Sequence, residues 1–140
     1  MADDLAADVR SVVSKLKRKL RAQSTIRGDL TNTQISVLLR LERDGPASAA
    51  DLARAEGIRA QSMGSALAPL EDAALIVGTP DPADGRRTIL SLTKACHALI
   101  LQVRSVRQDW LSRTIRSRLS SSEQRQLADA MALLKRLVEE

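Results

Sequence analysis

The sequence predicts a mainly α-helical fold with one small β-hairpin, and three observations carry that prediction. Apolar residues recur at three- and four-residue spacings along most of the chain, as they do in helices with one buried face. The composition favours helices: 21 Leu and 20 Ala against 8 Val and 7 Ile, with no Phe or Tyr and Trp110 as the single large aromatic. Only around residues 75–92 does the period shorten, where β-branched and aliphatic runs flank a loop containing Pro and Gly.

Taken in order, Leu5, Val9, Val12, Leu16 and Leu20 form one stripe on a helix from about Asp3 to Ala22, with Lys15, Lys17, Arg18, Lys19 and Arg21 on its other face. Those cations are either a solvated face near a helix C-terminus or phosphate contacts. Thr31 and Gln34 form a T-x-x-Q capping box ahead of Ile35, Leu38, Leu39 and Leu41, and Gly45-Pro46 stops that second helix. Ser48 and Asp51 repeat the capping pattern before a short helix with Leu52, Ala53 and Ala55, which ends at Gly57. Another helix starts near Ala60 and sets Met63, Ala66, Leu67, Leu70 and Ala74 on one side. Two short helices joined by a tight Gly-containing turn make a helix-turn-helix.

Residues 75–79 and 87–92 then read as two strands around the PDPADG loop, a wing. From Thr93 the helical period returns, with Leu92, Cys96, Leu99, Val103, Val106 and Trp110 as an a/d seam widened by Leu111, Ile115 and Leu119. Ser120 to Glu123 restart a last helix whose stripe is Leu127, Met131, Leu134 and Leu137. The order of elements is that of a winged helix-turn-helix plus a helical dimerisation bundle. Residues 1–30 form the N-terminal dimerisation helix, 31–92 the winged DNA-binding region, and 93–140 the C-terminal dimerisation helices of one compact chain. The terminal seams have no partner domain within the chain, so a second copy related by a two-fold axis is expected to cover them.

A chain of 140 residues is too short for a two-domain enzyme with an interdomain cleft, yet long enough to bury a core. The net charge of +5 is unevenly placed. Residues 1–30 hold seven basic and four acidic groups and residues 95–140 eight and five, whereas residues 59–94 hold four of each, so the surplus lies at the two ends. The lack of aromatic rings argues against single-strand and RNA readers that stack bases, and leaves duplex DNA open. One cysteine excludes an intramolecular disulfide and a multi-cysteine metal site. No apolar stretch reaches the length of a membrane span and none resembles a signal peptide, so a cytoplasmic location with no membrane partner is expected. No nucleophile–base pair, phosphate loop or paired-carboxylate motif appears, so neither an enzyme nor a cofactor is expected.

The blocks LTNTQISVLLRL (30–41), ADLARAEGI (50–58), QSMGSALAPLEDAALI (61–76), PDPADGRRTILSLT (80–93) and SSEQRQLADAMALLKRL (121–137) resemble the multiple antibiotic resistance regulator (MarR) family over nearly the whole chain. The most specific piece is the D-x-R wing motif, Asp84-Gly85-Arg86, followed by I-L-S-L-T. The resemblance implies a homodimeric, sequence-specific transcription regulator, usually a repressor, that binds double-stranded DNA at an inverted repeat and is often released by a small-molecule effector. The chemistry of an effector is not legible, since this chain offers such a pocket little beyond Trp110, His97 and aliphatic surface.

By the same resemblance, Arg86 matches the wing-tip arginine that enters the minor groove, where a fixed Arg reads groove width. Asp84 matches the acidic residue that orients a neighbouring arginine, here Arg86 or Arg87, and Arg87 is placed at a phosphate. Gln61, Ser62 and Ser65 match positions that meet base edges; Gln suits adenine and Ser several bases. Arg59 is suited to guanine or a phosphate. The alternative for Gln61 and Ser62 is capping of the first turn, and for Thr31, Asn32 and Ser48, at helix starts, capping is the alternative to phosphate contact. Pro69 is expected to kink or shorten the recognition helix, Gly64 to weaken it, and Gly78-Thr79 to leave a wing strand less basic than is common in the family. Cys96 lies on the apolar seam, which disfavours a redox role. The second reading is a helical dimeric interaction protein on the same scaffold with weak or lost DNA readout.

Overall fold

The computed structural model describes residues 1–140. Six helices and three strands follow in the order α1 (Ala2–Gln23), α2 (Asn32–Asp44), β1 (Ala47–Ser48), α3 (Ala49–Glu56), α4 (Ala60–Asp72), β2 (Ile76–Pro80), β3 (Thr88–Leu92), α5 (Lys94–Arg118) and α6 (Ser121–Val138). They divide into two units, Ile26–Val103 and the two terminal stretches Met1–Thr25 with Arg104–Glu140. Residues 93–103, expected among the dimerisation helices, thus group with the winged unit.

In the winged unit the helix starts are built as the capping boxes require. The Gln34 N–H donates to Thr31 Oγ1 and the Thr31 N–H to Gln34 Oε1, and Ser48 and Asp51 exchange the same pair of bonds. Helix α2 gives way at Gly45, whose φ of 90° is cheap only for glycine. The turn between α3 and α4 passes through Gly57 at φ 69°, with the Gly57 and Ile58 N–H groups donating to the carbonyls of Arg54 and Ala53.

Helix α4 ends in the same Schellman geometry without a glycine. Ala74 takes φ 58°, its N–H donates to the Glu71 carbonyl, and the Leu75 N–H reaches back to Leu70. The Thr93 hydroxyl donates to the Ala74 carbonyl and accepts from the Cys96 N–H. One side chain therefore fixes the end of α4 and caps the start of α5.

The expected shortening at Pro69 does not occur, since α4 continues to Asp72. Ser65 and Pro69 are both exposed, so water is at hand for the Ser65 carbonyl that loses its donor. The sheet also differs from the expected two-stranded hairpin. It has three antiparallel strands in the order β1-β3-β2, with Ser48 opposite Ile89 and Ile76 opposite Leu92. The extra strand is two residues long and exists only by pairing with β3. Leu92, which the sequence places both at the end of the second strand and at the head of the long-helix seam, is the last residue of β3. A Cβ at position 78 would stand 2.7 Å from the Thr88 methyl across the ladder, so any larger residue there makes the Thr88 side chain turn aside.

The core of this unit joins Val37, Leu38 and Leu41 of α2, Leu52 and Ala53 of α3, and Met63, Leu67 and Leu70 of α4 to Ile76, Leu90, Cys96 and Ile100. All are aliphatic or sulfur-bearing, as a chain without Phe or Tyr demands. Burial pushes the Cys96 thiol up from its ordinary value, and the Glu42 charge adds to this, so the reactive thiolate is disfavoured.

In the terminal unit α6 starts with a third capping box, Ser120 with Glu123, and Arg107 Nε donates to the Ser24 carbonyl just past α1, at 2.9 Å. Neither α1 nor α6 buries a single residue. Leu5, Val12, Leu133 and Leu137 stay more than half exposed. No helix is long and apolar enough to cross a membrane.

Candidate nucleic-acid interface

Helix α4 presents a polar face built from its first two turns. Met63 and Leu67 point into the core, and Gln61, Ser62 and Ser65, on the other side of the helix, are turned outward and exposed. Unlike α2, α3 and α6, this helix has no side-chain bond closing its first turn. The capping alternative for Gln61 and Ser62 is thus not formed, and the amides of that turn and both side chains face outward. Ser65 Oγ donates to the Gln61 carbonyl one turn back, at 3.2 Å.

Arg59 occupies the N-cap position of α4 and is exposed. Six of the seven arginines of the winged unit make ion pairs, with Asp29, Glu56, Asp44, Asp51 and Asp84 as partners. Arg59 makes none. An unpaired guanidinium keeps its full attraction for an incoming anion, so this position has the strongest electrostatic claim of any on the helix-turn-helix.

The wing tip is rigid for a loop. Asp81 Oδ1 accepts the Ala83 N–H at 2.9 Å, Asp84 Oδ1 accepts the Arg86 N–H at 3.1 Å, and the Asp81 N–H and Arg87 carbonyl close the hairpin at 2.8 Å. Of the two arginines open to Asp84, Arg86 is the one it meets, with Nε 3.4 Å from Oδ1. The Arg86 side chain is 94% exposed. Arg87 behaves differently: its Nη2 donates to Ser48 Oγ at 2.8 Å and to Asp51 Oδ2 at 3.0 Å.

Among the helix-start residues, Thr31 and Asn32 are exposed, while Ser48 is buried. Ser48 Oγ accepts from both the Asp51 N–H and Arg87, which is the capping role and leaves no open face for a phosphate. Hydrogen bonding from Ser48 holds the Asp51 carboxyl below its ordinary value, and the charges of Arg87 and Arg54 reinforce this.

Two residues that support the site gave no sequence signal of that role. Gln34, read only as half of a capping box, is buried and its Nε2 donates to the Ala66 carbonyl in the middle of α4 at 3.1 Å. It ties the recognition helix to α2. Arg40 of α2 donates twice to Glu56 Oε2 of α3, at 2.8 and 3.1 Å, and Ser36 Oγ donates to the same oxygen. Burial pushes Glu56 up, but the bonds from Arg40 and Ser36 and the charges of Arg40 and Arg43 outweigh it, and the carboxyl lies below its ordinary value.

Residues 28–87 match the sequence profile of the MarR family. Over 136 residues the chain is 32% identical to an HTH-type transcriptional regulator of Mycobacterium bovis, covering 97% of this chain and 94% of that one. A crystal structure of a protein from Pseudomonas aeruginosa described as a transcriptional regulator is 34% identical and superposes with a TM-score of 0.83 over 98% of this chain and 95% of that one. A Staphylococcus aureus MepR variant solved bound to an oligodeoxyribonucleotide is 26% identical, with a TM-score of 0.70 over 95% and 97% of the two chains.

Proposed function

The chain belongs to the MarR family of winged helix-turn-helix transcriptional regulators, DNA-binding proteins and not enzymes, and from that premise we propose that it is a homodimeric cytoplasmic repressor reading an inverted repeat. Helix α4 enters the major groove with Arg59, Gln61, Ser62 and Ser65, and Arg86 enters the adjacent minor groove. The observation that carries this reading is Arg86. Its side chain is almost wholly exposed, touching only Asp84 at 3.4 Å, on a hairpin whose turn is pinned by two aspartates, the combination of exposed cation and fixed backbone that narrow-groove recognition needs.

The dimer is supported by the apolar faces of α1 and α6, on which no residue is buried within the chain. A two-fold dimer carries two copies of α4, and two copies read two half-sites of opposite orientation about one helical turn apart.

The test is a mobility-shift titration with a duplex taken from immediately upstream of the protein's own coding sequence. Wild type shifts this duplex at low salt, and affinity falls steeply as salt rises because bound counterions are released. Arg86→Ala is expected to weaken binding by about tenfold or more. If wild type gives no shift at low salt while a protein partner co-purifies, the reading as a DNA-silent interaction scaffold replaces this one.

A further inference from the structure

Arg87 is next to the wing-tip arginine in sequence, but its surroundings are opposite. Its Nη2 reaches two groups at the start of α3: the hydroxyl of the N-cap Ser48, 39 residues away in the chain, and the Asp51 carboxylate, 36 residues away. Its Nε stands 4.0 Å from Asp81 Oδ2, in the wing loop. The cation thus lies between two carboxylates, one on each side of the gap between wing and helix-turn-helix. That neutralises its pull on a phosphate and gives it a mechanical task.

We propose that Arg87 is a positioning residue, which fastens the wing to the start of α3 through Ser48 and Asp51 and thereby sets where Arg86 stands relative to α4. The inference rests on the DNA-reading function proposed above. The strand pairing between β1 and β3 stops at Ser48 opposite Ile89, and the Arg87 side chain extends that tie by two residues toward the tip. Ser48 is a firm anchor because it is buried and already committed to capping α3. Arg54 shares Asp51, which holds the carboxylate in place from its other side. A guanidinium can bridge hydroxyl and carboxylate with directed N–H groups, whereas an ammonium keeps the charge without that geometry.

Positioning and phosphate contact make opposite predictions for Asp51. If Arg87 held a phosphate, Asp51 would compete with the DNA for it, and Asp51→Asn would tighten binding. If Arg87 positions the wing, Asp51→Asn loosens the wing and weakens binding, although Asn retains an oxygen to accept the Ser48 N–H.

The experiment uses the full chain and the upstream duplex, with a thermal melt of each variant to establish that it is folded at the assay temperature. Arg87→Ala and Arg87→Lys are both expected to weaken binding by roughly tenfold, and Asp51→Asn by a few-fold, while the slope of affinity against salt stays at the wild-type value; loss of one phosphate contact would lower it by about 1. The readout that a merely structural role would leave unmoved is the coupling to Arg86. Arg86→Ala is expected to cost about tenfold in the wild-type background and about twofold or less in the Arg87→Ala background, because a loosened wing no longer delivers Arg86. The inference is overturned if Arg87→Lys binds like wild type, if Asp51→Asn tightens binding, or if Arg86→Ala costs the same in both backgrounds. Failure of wild type to bind the duplex sinks the DNA-reading function and this inference with it, whereas wild-type binding with any of those three results sinks the positioning role alone.

Discussion

Glu56 couples the stability of the helix-turn-helix to acid. Its side chain is 11% exposed and receives three hydrogen bonds, two from Arg40 and one from Ser36, so losing its charge leaves the half-buried Arg40 with only the longer, 3.9 Å ion pair to Asp44. Its folded-state pKa lies below the ordinary value of 4.5. Within that window the unfolded chain binds more protons than the folded one. The stabilisation is therefore complete above the ordinary carboxylate value and is lost as pH falls through the depressed folded value. Glu56→Gln is expected to cost about 1–2 kcal/mol at neutral pH and to flatten the fall of the melting temperature below pH about 5. Melting curves of both proteins across that range check this, and parallel curves for wild type and variant would sink it. At this scale the sequence is least legible. Arg86, Gln61 and Ser62 stand out in the sequence because a linear motif and a helix start mark them, but the partners of Glu56, Gln34 and Arg87 lie 16 to 39 residues away. Nothing in the local pattern distinguishes such a side chain from an ordinary solvated charge.

Elements were more legible than their junctions. Both capping boxes read from the sequence are closed in the structure, because the box spans only four residues and both partners are local. Strand β1 was missed because two residues carry no period, and they become a strand only when β3 folds against them. The end of α4 was missed for a different reason. A left-handed C-cap is normally announced by glycine, and here Ala74 adopts it under the hold of Thr93. An L-residue with a Cβ pays roughly 1–2 kcal/mol in that conformation, and glycine recovers this less the larger entropy it loses on folding. Ala74→Gly is accordingly expected to stabilise the chain by about 0.5–1 kcal/mol. Urea unfolding measures the difference, and a destabilised variant would mean that Thr93 and the sheet have already relaxed the strain.

At the scale of the whole molecule the charge and the apolar surface are both concentrated in the terminal unit. The winged unit, residues 26–103, carries eight basic and nine acidic side chains, so the surplus of +5 comes from the terminal stretches. Their helices carry the exposed Val12, Leu133 and Leu137 as well. If a second copy covers this surface, as proposed, placing a charge there forces it to be buried or exposed with the dimer broken. Val12→Glu and Leu137→Glu are each expected to raise the dimer dissociation constant at least tenfold, on the order of 1.4 kcal/mol or more. Sedimentation velocity over a dilution series reads this directly, and a chain that sediments as a monomer before any substitution would overturn the dimer.

The split of the terminal unit across the sequence has a consequence for how the chain is made. Residues 1–25 leave the ribosome ahead of the winged unit, yet the stretch they group with begins at Arg104, roughly 80 residues later. At about 5–20 residues per second, α1 waits on the order of 4 to 16 seconds for its partner helices. The winged unit, whose residues are contiguous, is complete at Val103 and has all it needs to fold once that interval ends, while until then α1 remains a nascent amphipathic segment open to whatever apolar surface the cell offers. The DNA-reading half of the molecule therefore matures during synthesis, and the terminal unit only after it.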